Sequence, residues 1–107
     1  MAGSRSVYQH FCPAARALEV VGEKWSLLIV RDLVRKGAQR FQDLQDSVVG
    51  IAPNILSARL KKLEEQGAVA RRFYEEHPPR YEYYLTEKGE ALRPVIRALY
   101  NWGEAHA

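Results

Sequence analysis

Apolar positions recur along this chain at helical spacing, change to alternation after residue 67, and return to helical spacing after residue 86. The most informative stretch is 51–67, IAPNILSARLKKLEEQG. Pro53 suits a first helical position, where its missing N–H would have no partner and its φ is already helical. Gly67 suits the left-handed position just past a helix end. At about 100° per residue, Leu60 and Leu63 fall within roughly 40° of Leu56, so the three leucines form one buried stripe. Asn54, Ala58, Lys61 and Glu65 then lie opposite, flanked by Ser57 and Lys62. Such an outer face is either the solvated side of an ordinary amphipathic helix or a surface that enters a DNA major groove. The second reading rests on Asn, which can read adenine bidentately, and Lys, which can reach guanine or phosphate.

Upstream, a helix is expected from Cys12-Pro13 to Gly22, with Leu18, Val21 and Ala14 or Ala15 on one face. A second is expected over Lys24–Lys36, KWSLLIVRDLVRK, closed by Gly37. Its apolar residues run nearly all the way round, which places it at the centre of the fold and makes Trp25 a core anchor rather than a ligand platform. Arg40-Phe41 reads as a very short strand or turn, followed by a short helix, FQDLQDSV, with Phe41, Leu44 and Val48 inward. Val49 to Ala52 turns the chain into the 53–66 helix. Two short helices joined by a tight glycine-containing turn, the second with a polar front, form a helix-turn-helix pattern.

After Gly67, AVARRFYE (68–75) and RYEYYL (80–85) are rich in β-branched and aromatic residues, as strands are. The link Glu76-His77-Pro78-Pro79 has no Asn-Gly turn and two prolines, so a longer, stiffened loop is expected. A hairpin in this place is a wing, flanked by Arg72 and Arg80 with His77 at its tip. Thr86 caps a final helix running to the C-terminus, kinked in its middle by Pro94. Its stripe of Leu92, Val95, Ile96, Leu99 and Trp102 is too wide for so small a domain to cover. A second copy of the chain, packed through this helix and Leu18 of the first, is the expected partner. The fold class is mainly α (α+β): a winged helix-turn-helix with a two-stranded wing and N- and C-terminal dimerisation helices. Residues 1–10 are expected to be a flexible N-terminus and 11–107 the single domain.

The composition narrows the function. With 107 residues, 47% hydrophobic and 27% charged, the chain is one folded domain. The formal net charge is only +3, but residues 53–72 hold five cations (Arg59, Lys61, Lys62, Arg71, Arg72) against two anions (Glu64, Glu65). Residues 80–107 are neutral. Positive charge thus gathers at the candidate helix, as a phosphate-binding surface needs. A single cysteine excludes an intrachain disulfide, and His10, His77 and His106 are too dispersed for a metal site. No catalytic pair, glycine-rich phosphate loop, signal-peptide core or membrane-spanning run is present, so no enzyme, cofactor or membrane partner is expected and the place is cytoplasmic.

The candidate DNA contacts are Asn54, Ser57, Ala58 and Lys61 on the helix front, with Pro53 at its start and Arg59 and Lys62 at its flanks. Ala58 would meet a thymine methyl or make room. Arg59 reaches phosphate or packs its stem on the core. On the wing, Arg72, Arg80 and His77 are candidates for backbone or minor-groove contact; the alternative for the arginines is a cross-strand ion pair with Glu82 or Glu75. Lys24, opening the second helix, is a candidate phosphate ligand. Cys12, at a helix start where the dipole favours thiolate, is either a redox-sensing thiol or a small buried packing residue. The aromatics Phe73, Tyr74, Tyr81, Tyr83 and Tyr84 either line a small-molecule cleft or pack as a hairpin face.

The ordered set Cys12-Pro13, Gly22-x-Lys24-Trp25-x-Leu27-Leu28-Ile29, Arg40-Phe41-x-x-Leu44, Leu56-x-x-x-Leu60-x-x-Leu63-x-x-x-Gly67, Pro78-Pro79-Arg80-x-x-Tyr83-x-Leu85-Thr86 and Leu92-Arg93-Pro94-Val95 resembles the HxlR-type transcriptional regulators, relatives of the MarR group. The match covers roughly residues 10–106. It implies a winged helix-turn-helix homodimer on pseudo-palindromic bacterial operators and, in some members, an N-terminal cysteine that senses electrophiles or oxidants. Where such proteins usually carry Ser or Thr before the recognition helix, this chain has Ala52, losing a side-chain cap that stabilises a helix by about 1 kcal/mol. The rival functions for the same pattern are a winged-helix protein–protein module and a small-ligand-binding regulator using the aromatic cleft.

Overall fold

The computed structural model describes residues 12–75, 77, 78 and 80–107. The segment 1–10, His10 included, and Glu76 and Pro79 of the link lie outside the described residues. In chain order the elements are α1 (Pro13–Val21), α2 (Lys24–Lys36), β1 (Gln39–Arg40), α3 (Phe41–Ser47), α4 (Pro53–Glu65), β2 (Val69–Glu75), β3 (Arg80–Leu85), α5 (Glu87–Glu90) and α6 (Arg93–His106). None of these helices is long and apolar enough to cross a membrane.

The core is the place where α2 meets α4. Leu56, Leu60 and Leu63 of α4 are buried together with Ile29, Val30 and Leu33 of α2 and Leu44, Val48 and Ile51 around the helix-turn-helix. Each buried leucine contributes about 1.5–3 kcal/mol relative to exposure. The α2 helix is central but not apolar all round its buried surface. Ser26 and Asp32 are buried on it, whereas Trp25, Leu27, Leu28 and Val34 are only partly buried. Asp32 pairs with Arg31 at 2.9 Å, and the buried Gln39 side chain donates to the Asp32 carbonyl. Trp25 packs at the edge of the core with the Lys24 ammonium 4.6 Å from its ring centre, so it is a peripheral anchor.

The sheet has three strands, in the order β1-β3-β2: the very short strand or turn expected at Arg40-Phe41 is the strand Gln39–Arg40, and it joins the two-stranded wing. A two-residue strand carries no period that sequence could show; β1 is recruited to the free edge of β3 by pairing Gln39 with Tyr83 and Arg40 with Glu82. The hairpin itself pairs Val69 with Leu85, Arg71 with Tyr83 and Phe73 with Tyr81 on the face toward the core. Ala70 opposite Tyr84 and Arg72 opposite Glu82 occupy the other face.

The C-terminal part is two helices, not one kinked at Pro94. A proline inside a helix loses a hydrogen bond and drives its ring into the carbonyl four residues back; the chain instead breaks after α5 and places Pro94 in the first turn of α6, where no donor is required. The short α5 turn fastens the end of α4. Gly67, at φ +78, closes α4 with its N–H on Glu64 O and the Ala68 N–H on Leu63 O. Thr86 then donates its N–H to Ala68 O and its hydroxyl to Gly67 O at 2.5 Å, while Lys88 Nζ donates to Gln66 O. Gly89 lies so close that a Cβ there would sit 2.1 Å from Ala68 O. Of the predicted apolar stripe, Leu92 and Ile96 pack against the chain's own core, while Val95, Leu99 and Trp102 remain outside.

Gly89→Ala should therefore destabilise the fold by about 1–3 kcal/mol, the usual cost of forcing atoms into an occupied space. Gly103→Ala, in the last turn of α6 where nothing lies within 4 Å of the added carbon, should not. Thermal unfolding of the two variants beside the parent checks the pair.

Candidate nucleic-acid interface

The turn from α3 into α4 runs through Gly50 at φ +87, with the Ile51 N–H on Val48 O and the Gln45 side chain donating to Ile51 O. It delivers α4 with an open front. Ala52 has the extended conformation of a helix cap but no side-chain acceptor to offer. Pro53, Asn54, Ser57, Ala58 and Lys61 are all exposed, and Arg59 and Lys62 half-buried at the sides, as the leucine stripe dictates. Among the described residues Lys61 and Lys62 have no ion-pair partner.

The arginines are in the opposite condition. Arg59 pairs with Glu23 at 2.9 Å, Arg71 with Glu64 at 3.0 Å, Arg72 with Glu82 at 2.9 Å and Arg80 with Glu75 at 3.2 Å. For Arg72 and Arg80 the cross-strand alternative is the observed state of the free protein. The Arg72 guanidinium also lies 4.9 Å over the Tyr84 ring. Both side chains stay about half exposed, at 57% and 51%, and exposed pairs of this kind are worth about 0–1 kcal/mol, so phosphate can replace the carboxylates. His77, within the link, is exposed.

Glu23 changes the expectation for Lys24. Its carboxylate accepts from the Ser26 N–H and hydroxyl and from Arg59 Nε, so the start of α2 is already occupied by an anion and is not an open phosphate site. Burial pushes the Glu23 carboxyl up, but the Trp25 and Ser26 N–H groups and the Arg59 charge together outweigh it and hold the pKa below the ordinary 4.5. Glu23 thus joins α2 to α4, a role that sequence spacing did not reveal because its partner lies far along the chain.

Arg40 was likewise missed. It donates to Asp43 through Nε at 3.1 Å and its terminal nitrogen at 3.3 Å, and the Asp43 carboxylate also accepts the Arg40 N–H. Asp43, and after it the Tyr74 hydroxyl, raise the Arg40 pKa further above its already high value. The acidic residue three positions after Arg40 was the available signal.

Cys12 is the residue immediately before α1 and is exposed, so it is not the buried packing residue of the second reading. Leu18, at 61% exposure, and Trp102, at 63%, stand out with Val95, Leu99 and Tyr100 as uncovered apolar surface. Among the described residues the wing aromatics pack against one another. Phe73 meets Tyr81 edge-on at 5.5 Å and Tyr81 meets Tyr83 at 6.2 Å, a row of packed rings that ends in the core at Tyr83. Two shallow depressions, one along Glu90–Asn101 and one beside Lys36 and Ser47, contain none of these rings.

The model of the HxlR-like helix-turn-helix family matches residues 20–107. An uncharacterised HTH-type transcriptional regulator from Synechocystis sp. is 38% identical over 94 residues, 88% of this chain and 69% of that protein. Among solved structures, the redox regulator HypR in its oxidised form superposes with a TM-score of 0.82 at 33% identity, covering 90% of this chain and 98% of that one. The reduced transcriptional regulator YodB from B. subtilis superposes with a TM-score of 0.74 at 32% identity, covering 90% and 94%.

The depressed Glu23 pKa has a pH consequence. Its stabilising contribution is complete above pH 4.5 and is lost as pH falls through the lower folded-state value. Glu23→Gln should lower the thermal midpoint at neutral pH, and the gap to the parent should close in acid below that value. Melting curves across the range measure it.

Proposed function

The chain belongs to the HxlR-like helix-turn-helix family, and from that premise we propose that it binds a pseudo-palindromic operator in double-stranded DNA as a cytoplasmic homodimer. It is a transcriptional regulator of the helix-turn-helix type and not an enzyme. What carries the finer reading is the outward front of α4, where Asn54, Ser57, Ala58 and Lys61 are exposed and, among the described residues, both lysines are unpaired while every neighbouring arginine is engaged. Asn54 and Lys61 read bases, Ser57 and Ala58 fit against them, and the Pro53 end approaches the backbone. Arg59, Lys62, Arg72, Arg80 and His77 supply contacts to phosphate, the arginines by exchanging their carboxylates for it.

Two copies meet through the apolar surface left by α1 and α6, with Leu18, Val95, Leu99 and Trp102 central and Leu92 and Ile96 beneath them. Two-fold symmetry then sets the half-sites about 10 base pairs apart or a multiple of that. Cys12, exposed at the start of α1, is the point at which an oxidant or electrophile acts on the dimer; likeness to HypR and YodB supports this reading.

Asn54→Ala with Lys61→Ala should weaken binding to a genomic operator fragment by about 10-fold or more, given roughly 1–3 kcal/mol for each good base contact. Undiminished affinity by fluorescence anisotropy would point to a protein–protein module instead. Leu99→Asp should convert a sedimenting dimer into a monomer at micromolar concentration, and a monomeric parent would overturn the assembly. Mild oxidant should shift operator affinity in the parent and leave Cys12→Ser unmoved; an identical response in both removes the sensor role.

A further inference from the structure

Three charged side chains form a row across the outer face of the sheet, one from each strand. Register pairs Arg40 of β1 with Glu82 of β3, and Glu82 with Arg72 of β2. Directly paired residues point to the same side of a sheet. The neighbouring positions Gln39, Tyr83 and Val69 are buried on the opposite face, so the row looks to solvent. Its two arginines are 53% and 57% exposed, and Glu82 between them 24%. At about 4.8 Å per strand, the two arginine backbones stand roughly 10 Å apart.

Each guanidinium is held in place without being covered. Arg40 is fixed by Asp43, and Arg72 by Glu82 at 2.9 Å and by the Tyr84 ring beneath it. Arg40 also stands at the joint between two elements that approach DNA, since it precedes α3 of the helix-turn-helix and lies in the same sheet as the wing. We propose that Arg40 and Arg72 grip the sugar–phosphate backbone of duplex DNA together, and that Glu82 between them competes with phosphate and limits that grip. The inference rests on the reading of the chain as a DNA binder. A planar fork already oriented by a carboxylate presents two donors to a phosphate in the same geometry. The exposed pair it gives up is weak, whereas the DNA backbone brings closely spaced charge and releases counterions. Glu82 gives up its bond to Arg72 when phosphate arrives but stays in the row, held there by its strand. It remains beside the guanidinium as a like charge to the incoming anion.

The test titrates parent, Arg40→Ala, Glu82→Gln and Glu82→Gln/Arg72→Ala with an operator fragment and an unrelated duplex of equal length, over a range of salt. Arg40→Ala should weaken both duplexes by the same factor and flatten the slope of log K against log salt by about 0.9, one phosphate contact. Glu82→Gln should tighten both by about two- to fivefold, the size of an exposed ion pair. That gain should vanish in the double variant, and Glu87→Gln, elsewhere on the surface, should give none. Unchanged slope in Arg40→Ala, or no gain in Glu82→Gln, overturns the inference. Should Arg40→Ala melt early through loss of its Asp43 contacts, Glu82→Gln, which leaves them intact, decides alone. A parent that binds neither duplex overturns the DNA-binding reading itself, whereas a binding parent with indifferent variants overturns only the role of the row.

Discussion

The burial of Leu56, Leu60 and Leu63 against α2 is the constraint from which the remainder follows. Three leucines on one side of a helix fix its rotation, because turning it would bring each of them into water at a cost of about 1.5–3 kcal/mol. With the rotation set, Asn54, Ser57, Ala58 and Lys61 have only one direction in which to face. The end of the helix is held as firmly as its side. Gly67 reverses the chain, and Thr86, Lys88 and the missing side chain at Gly89 let the next turn close on the Gln66, Gly67 and Ala68 carbonyls just past the end of α4.

Charge around this helix is divided by residue type. The arginines of α4 and the wing are each matched to a glutamate, while Lys61 and Lys62 have no ion-pair partner among the described residues. The segment's net positive charge in the sequence therefore overstates the arginine contribution at a distance, and on the proposed reading the lysines carry the field that a duplex would first meet. Arginines come into play at contact range, where a fork of donors matters more than a point charge.

Much of this was legible in the chain before any coordinates. The leucine stripe, Pro53 and Gly67 located α4, and the change from a period of 3.6 to 2 located the hairpin, because burial on one side imposes those periods. What escaped reading was set by distant partners. Arg40-Phe41 reads as a very short strand or turn, but nothing near it announces that this strand pairs with β3, nor does anything near Glu23 announce Arg59. Pro94 reads as a kink within one long helix; the break before it goes with the close docking of Gly89 against Ala68, which only the folded chain brings together. Leu92 and Ile96 share a stripe with Leu99 in sequence, and only the packing of α6 against α2 separates those turned inward from those left outside.

The missing cap at Ala52 gives α4 unequal ends. Its tail is tied down by hydrogen bonds from three residues, whereas the amides of its first turn have no side-chain acceptor from the residue that would normally supply one. If the chain binds DNA as proposed, the less tied end of α4 is the one that meets the groove. A first turn that is fully ordered only on docking loses conformational entropy at that moment, about 1–2 kcal/mol for each residue it fixes. A matching site repays that loss through its contacts and a mismatched one does not. Softness at one end of an otherwise rigid rod would thus sharpen discrimination between sequences at the expense of total affinity.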